Sequence, residues 1–223
     1  VSANTTAGFS IVSYTGNGSV GATVGHGLSS APEMVITKDR NASYPWGVYH
    51  IGLDATSPED KYIELDSTAP AADFNYWNDT KPSNTVVTLG SSAANTTNGN
   101  NIIMYCFHSV KGYSKFGSFT GNGNADGTFV YTGFKPAFII EKLSSGTGSW
   151  LIYDNKRNGI NGDNHYFYAD GSDAELTTQL IDITSNGFKH RHAGGANSSG
   201  TSIYMAFAEA PLVNSSGIPN NAR

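Results

Sequence analysis

The sequence predicts an all-β chain of two tandem β-sandwich domains, jelly-roll or lectin-like, related by an internal repeat. Three observations lead there. Short apolar runs alternate with stretches of Gly, Asn, Ser and Thr, and 26 glycines and 12% aromatic residues occur in a chain of 223 residues of which only 14% are charged. Short β-branched and aromatic runs bounded by turn formers read as strands, and no segment longer than about 8 residues keeps a clean helical period. The chain also contains itself twice: "FSIVSYTGNGSVGATVGHGLSSAPEMVITK", Phe9 to Lys38, lines up with "YSKFGSFTGNGNADGTFVYTGFKPAFIIEK", Tyr113 to Lys142. Self-similarity of this kind marks repeated structural units.

The elements follow in order. Residues 1–8 read as an N-terminal arm or linker, 9–110 as the first repeat, 113–211 as the second and 212–223 as a C-terminal tail. Strands of the first repeat are expected near 9–15, 20–26, 33–38, 46–51, 60–66, 72–77, 85–90 and 101–109, about the number a two-sheet sandwich of ~100 residues uses. Alternation is clearest in "YIELD", where Ile63 and Leu65 oppose Tyr62, Glu64 and Asp66, and in "SIYMAFAE", where Ile203, Met205 and Phe207 share a face. Lys38, Trp46 and Tyr49 recur in register as Lys142, Trp150 and Tyr153, and Phe107 of "NIIMYCFHS" recurs as Phe207 of "TSIYMAFAE". Side chains kept equivalent while the loops between them differ are expected in the core, where a tryptophan withdraws ~150–250 Å² from water. "SDAELTTQL", Ser172 to Leu180, is the one candidate for a helical turn, with Ser172 or Asp173 as its cap.

"YTGNGSVG", Tyr14 to Gly21, contains the spacing of a dinucleotide-binding loop. Such a loop must run into a helix whose N-terminus receives the pyrophosphate. Here the following residues are "ATVGHGL", and the second copy breaks the spacing with Gly121, Gly123 and Gly127. Asn-Gly between alternating runs is a turn signal.

The net charge of −5 gives nothing to neutralise phosphates, so no nucleic-acid partner is expected. No run of 18 apolar residues occurs, so no membrane insertion through a helix is expected. Cys106 is the only cysteine, which excludes an intramolecular disulfide and a multi-cysteine metal site. Within "IIMYCFH" it reads as a small buried thiol. No cofactor is expected. The chain starts at Val1 without a visible signal peptide and is expected to be a processed form or a piece of a longer protein.

Paired carboxylates could hydrolyse a glycosidic bond, and Glu64 with Asp66, Asp173 with Glu175, and Glu59 with Asp60 are close pairs. No pair recurs in both copies, and the expectation is no enzyme. In "FKHRH", His190 and His192 would point the same way on a strand, as two metal ligands do, although a solvated basic strand explains them too; three such pairs around a threefold axis would make an octahedral site. "NGINGDN", Asn158 to Asn164, and "NGNADG", Asn122 to Gly127, carry oxygens suited to Ca²⁺ but follow no EF-hand pattern, and turn chemistry accounts for them. "FNYWNDT" is the candidate ligand-binding stretch: Tyr76 and Trp77 lie beside Asn75, Asn78 and Asp79, a set of aromatic faces, amides and a carboxylate suited to stacking on sugars. The competing reading puts Trp77 in the core of the first repeat.

These motifs together resemble a module of tail-fibre-like and other virion-structural proteins of marine tailed bacteriophages. The resemblance is carried by "YTGNGS", "YWNDT", "YCFHSVKGYSKFGSFTGNGNADGTFVYTGFKPAFIIEK", "WLIYDNKRN" and "IYMAFAEAPLVNSSGIPNNAR", and runs from about Gly8 to Arg223. It implies a virion-surface location and an adhesive or structural role at the C-terminal end of a longer protein, and it offers no established catalytic residues to carry over. The expected function is therefore a tail-fibre or receptor-binding module touching host surface glycans. Its expected partners are copies of itself, a trimer being favoured, and other virion proteins. A capsid decoration or fibre protein without receptor function is the alternative, and a polysaccharide depolymerase the third reading.

Overall fold

The computed structural model describes residues 1–157, 161 and 165–209. The chain is all-β, and every strand pair among the described residues is antiparallel. Its contacts divide it into two compact units, Val1–Ser67 with Ala71–Ser109, and Thr68–Pro70 with Val110–Arg223.

The first unit contains β1 (Ser2–Asn4), β2 (Phe9–Thr15), β3 (Thr23–Gly25), β4 (Met34–Asp39), β5 (Gly47–His50), β6 (Lys61–Glu64), β7 (Ala72–Asp73), β8 (Val86–Thr88), a single helical turn α1 (Ala93–Thr96) and β9 (Asn101–Phe107). They form a large sheet in the order β1-β2-β9-β4-β5-β6-β7 and a small one, β3-β8. The second unit contains β10 (Ser114–Gly121), β11 (Phe129–Tyr131), β12 (Pro136–Leu143), β13 (Leu151–Asp154), β14 (Tyr166–Tyr168), β15 (Ile181–Thr184), β16 (Gly187–His190) and β17 (Gly200–Ala208). Their sheets run β10-β17-β12-β13-β14 and β11-β16-β15. The order β2-β9-β4-β5-β6 of the first unit thus matches β10-β17-β12-β13-β14 of the second.

In each unit the inward residues of the two sheets meet in one core, as period-2 alternation requires. Val12, Val35, Tyr49, Met104 and Cys106 of the large sheet pack with Val87 of the small one. In the second unit Ile139, Leu151, Tyr153, Tyr204 and Ala206 pack with Val130, Ile181, Ile183 and Phe188. Burial pushes the Cys106 thiol up to about 12. A thiolate-directed disulfide reagent should therefore leave the folded chain untouched and titrate one thiol after denaturation; labelling at native rates like those of a free thiol would contradict this placement.

The Thr-Gly-Asn-Gly turn has the same construction in both units. A Cβ on Gly16 would lie 2.2 Å from the carbonyl oxygen of Thr97, and one on Gly121 2.2 Å from that of Ser198. The second glycines, Gly18 and Gly123, have φ of 70° and 61°, where only glycine is free of strain. Their amides donate to Thr96 O at 2.7 Å and Asn197 O at 2.8 Å. The motif is a turn clamped onto the segment ahead of the closing strand, and the next regular element is a strand, β3 or β11, rather than a helix.

Several expected elements differ. Residues 2–4 of the expected arm form an edge strand on β2. Of the strand expected over 72–77 only Ala72–Asp73 pairs. Ser172–Leu180 forms no helical turn; Leu176 and Tyr166 exchange amide-to-carbonyl bonds at 3.0 Å in an isolated bridge, with Leu176 packed against the core. Burying that side chain across from Tyr166 outweighs the weak local helix preference. The helical turn with a side-chain cap is α1, where Ser92 Oγ accepts from Ala94 N. Trp150 is 1% exposed as expected, whereas Trp46 is only half-buried, stacked on Tyr105 at 6.5 Å. The C-terminal tail at 212–223 lies outside the described residues.

Candidate functional site

The stretch Asn75 to Asp79 is placed by contacts at both ends. Tyr76 is 2% exposed and Trp77 fully buried. The Tyr76 hydroxyl lies 2.9 Å from Thr37 Oγ1 of β4, and its carbonyl accepts from Asn95 Nδ2 of α1 at 2.8 Å. Trp77 meets Tyr49 edge-on at 5.9 Å and Tyr76 at 4.6 Å. Asn75 is half-buried, its carbonyl taking the Ser91 amide at 2.7 Å. Asn78 and Asp79 adopt φ of 55° and 45° and shape a turn in which Thr80 Oγ1 donates to Asn78 O; Asn and Asp tolerate that conformation better than other side chains. Trp77 is therefore core. Neither its ring nor the buried face of Tyr76 is free to stack on a sugar, which corrects the expectation for these two residues.

What the stretch builds is a cleft beside it. A cavity of about 200 Å³ in the first unit is lined by Tyr44, Pro45, Gly47, Tyr62, Glu64 and Phe74, with Tyr76 and Ser92–Ala94 completing it. Tyr62 of β6 stacks on Tyr76 at 5.2 Å, with ring planes 14° apart, and packs at 5.7 Å against Phe74, which is 44% exposed. Alternation puts Tyr62 and Glu64 on one face of β6 while Ile63, between them, is 1% exposed. Partial burial, then the neighbouring Glu64 carboxylate, raises the pKa of the Tyr62 phenol above its ordinary value.

Gly47 makes room for this arrangement. A Cβ there would stand 2.0 Å from the Tyr76 hydroxyl, so only glycine lets Tyr76 lie across β5. The second unit shows the filled alternative. Gly47 pairs with Glu64 in the first unit; at the matching register Leu151 pairs with Tyr168 in the second, and Leu151 is 3% exposed. One copy is hollowed there and lined with rings, and the other fills the matching position with Leu151.

Asp66, Glu175 and Asp126 among the remaining candidates are held by partners. Asp66 Oδ1 accepts the Trp46 amide at 3.0 Å, and Glu175 binds Arg157 at 2.6 Å and His165 at 2.7 Å. Arg157 and His165 hold the Glu175 carboxyl below the usual carboxylate range. Asp126 of the second glycine-rich loop takes the Lys189 ammonium at 2.7 Å, and Lys189 also donates to Gly127 O, so the carboxylate of this loop is paired with an ammonium. The other candidate Ca²⁺ loop, Asn158 to Asn164, lies outside the described residues except for Asn161. His190 ends β16 and is 2% exposed, while His192 lies beyond the strand and is exposed, so the two do not present a common ligand face. Among the described residues no three His, Cys, Asp or Glu side chains are grouped to hold a metal ion, and no helix is long and apolar enough to cross a membrane.

The cleft residues Tyr44, Tyr62, Phe74 and Glu64 were not singled out together by the sequence. The signal that could have found them is the repeat itself: a glycine in one copy facing a leucine in the other.

No curated protein and no solved structure matches the chain. One family model does, over residues 1–211. The chain belongs to the DUF7483 family, a domain of unknown function.

Proposed function

We propose that the chain is a non-catalytic glycan-binding module displayed on a bacteriophage virion, in the tail-fibre or receptor-binding role that its sequence resemblance implies. The observation that carries the binding part is the cleft of the first unit, where Tyr62 stacks on Tyr76 and packs against the exposed Phe74, with Glu64 lining the same cleft. Ring faces of this kind accept the C–H face of a pyranose, and a few polar groups fix its orientation. At about 200 Å³ the cleft is smaller than the ~300–1,000 Å³ that enclose a whole small ligand, so it holds one ring of a longer glycan. Single-site affinity is then weak and gains strength from copies on an oligomer, for which a trimer is our working assembly. The non-catalytic reading is supported by the carboxylates: hydrolysis needs two across one bond, and of the candidate pairs only Glu64 lines the cleft.

The test is binding of the immobilised chain to surface polysaccharides of candidate marine hosts. Phe74→Ala and Tyr62→Ala should each weaken binding about tenfold, or ~1.4 kcal/mol. Phe129→Ala, equally exposed at 44% but in the second unit, should leave it unchanged. Equal loss in all three variants would refute the cleft. Binding to assembled particles with no glycan bound would instead assign the chain to the capsid decoration role.

A further inference from the structure

The cleft carries a preference that a neutral sugar does not use. Glu64 is the only charged residue among those lining it, and no lysine, arginine, asparagine or glutamine lines it. Two basic residues of this unit are engaged elsewhere. Lys38 donates to the Tyr44 carbonyl and stands 5.9 Å from the Trp46 ring centre, and Lys61 pairs with Asp73 at 2.9 Å. The wall therefore offers hydroxyls and one carboxylate, but no amide or basic side chain, for reading a sugar. It has in quantity what attracts a positive organic group: the negative faces of Tyr44, Tyr62 and Phe74, and a carboxylate.

A cation within ~6 Å of an aromatic centroid gains about 0.5–1 kcal/mol when exposed and about 2 when desolvated, and several rings around one ammonium act together. We propose that the cleft recognises an organic ammonium group carried on the bound glycan. This rests on the reading of the cleft as a glycan site and names the feature that the site selects. Two sources carry that chemistry: the free amine of a deacetylated amino sugar, and a quaternary ammonium of the choline type attached to a surface glycan. Tyr62 and Phe74 face the cation, Tyr76 and its bond to Thr37 hold Tyr62 in place, and Glu64 supplies the opposite charge.

The experiment is calorimetric titration of the intact chain at pH 6 with a glucosamine oligomer, the same oligomer fully N-acetylated, and choline. The glucosamine oligomer or choline should bind at least about tenfold more tightly than the acetylated oligomer, with the advantage shrinking as salt rises. Glu64→Gln should abolish that advantage with the melting temperature unchanged, and Phe74→Ala, at an exposed ring, is the second variant expected to do so. Preference for glucosamine alone identifies the amino sugar, and preference for choline alone the quaternary group. Equal binding of the acetylated and deacetylated oligomers with choline inert overturns the ammonium inference and leaves the glycan reading standing. Ammonium ligands bound while every host polysaccharide fails would do the reverse. No binding of any of the three ligands overturns the inference as well.

Discussion

Trp77→Ala should destabilise the first unit by about 3–5 kcal/mol, the range for removing a buried large aromatic and leaving a cavity. Total stabilities of about 5–15 kcal/mol make that a large fraction. The indole is fully buried between Tyr49 and Tyr76, and Tyr76 in turn stacks on Tyr62, so the cleft should loosen with the core and glycan binding should fall in the same variant. Trp77→Phe separates two effects. The Trp77 Nε1 is buried with no hydrogen-bond partner among the described residues, and an orphaned donor costs about 1–3 kcal/mol. Phenylalanine discards that donor, so its net cost should be well below that of alanine. Denaturant unfolding followed by fluorescence can tell the units apart, because Trp46 remains as a reporter of the first unit and Trp150 of the second. A Trp77→Ala variant within about 1 kcal/mol of the parent would mean that the ring is not packed as described.

The parts of this fold that were legible in the sequence are those fixed by local rules. Thr-Gly-Asn-Gly reads as a turn because its second glycine needs positive φ, and the alternation in "YIELD" matches the buried Ile63 between half-buried Tyr62 and Glu64. Trp46 and Trp150 illustrate the limit. What the two copies share at that position is a backbone clamp, the Trp46 amide on Asp66 and the Trp150 amide on Asp170 at 2.7 Å. An alignment registers the clamp without saying which ring is covered. Trp77 could not be assigned from "FNYWNDT" because its burial depends on distant residues, Gly47 lacking a side chain and Asn95 holding the Tyr76 carbonyl. The cleft was hidden for the same reason: Tyr44, Tyr62, Phe74 and Glu64 are brought together by strand register. The His190 and His192 pair failed on a boundary, since β16 ends at His190 and the alternation that would align them stops there.

The second unit should be most stable between about pH 4.5 and 6.5, and should lose about 2 kcal/mol as the pH rises from 6.5 to 8. Its core holds Glu141 of β12 at 0% exposure and His190 of β16 at 2%, with Glu141 Oε2 3.5 Å from His190 Nε2 and the Tyr153 hydroxyl of β13 donating to Glu141 Oε1 at 3.1 Å. Burial raises Glu141 from 4.5 to about 8, against the opposing Tyr153 bond, and lowers His190 from 6.5 to about 4, with the Lys189 ammonium adding to it. Folded, the pair keeps one proton from about pH 4 to 8, whichever of the two carries it. Unfolded, it binds two protons below 4.5, one between 4.5 and 6.5, and none above 6.5. The Glu141 contribution is present below 4.5 and lost toward 8, while the His190 contribution is present above 6.5 and lost toward 4. The slopes cancel in between, leaving a plateau with a fall of ~1.4 kcal/mol per pH unit above it. Lys142, lowered to about 8 by burial, titrates at the upper edge of this window, where its contribution rises with pH, and it is common to wild type and double variant. The first unit provides the control, because it builds the same positions without ionisable groups. Thr37 pairs with Gly47 where Glu141 pairs with Leu151, and the Leu89 carbonyl takes the Gly21 amide where that of His190 takes the Gly127 amide. The double variant Glu141→Thr, His190→Leu should therefore fold and flatten the profile. If wild type and double variant show parallel stability curves from pH 6.5 to 8, the proton is held elsewhere; if they diverge by about 2 kcal/mol, the buried pair makes this unit sensitive to alkaline pH where its twin is not.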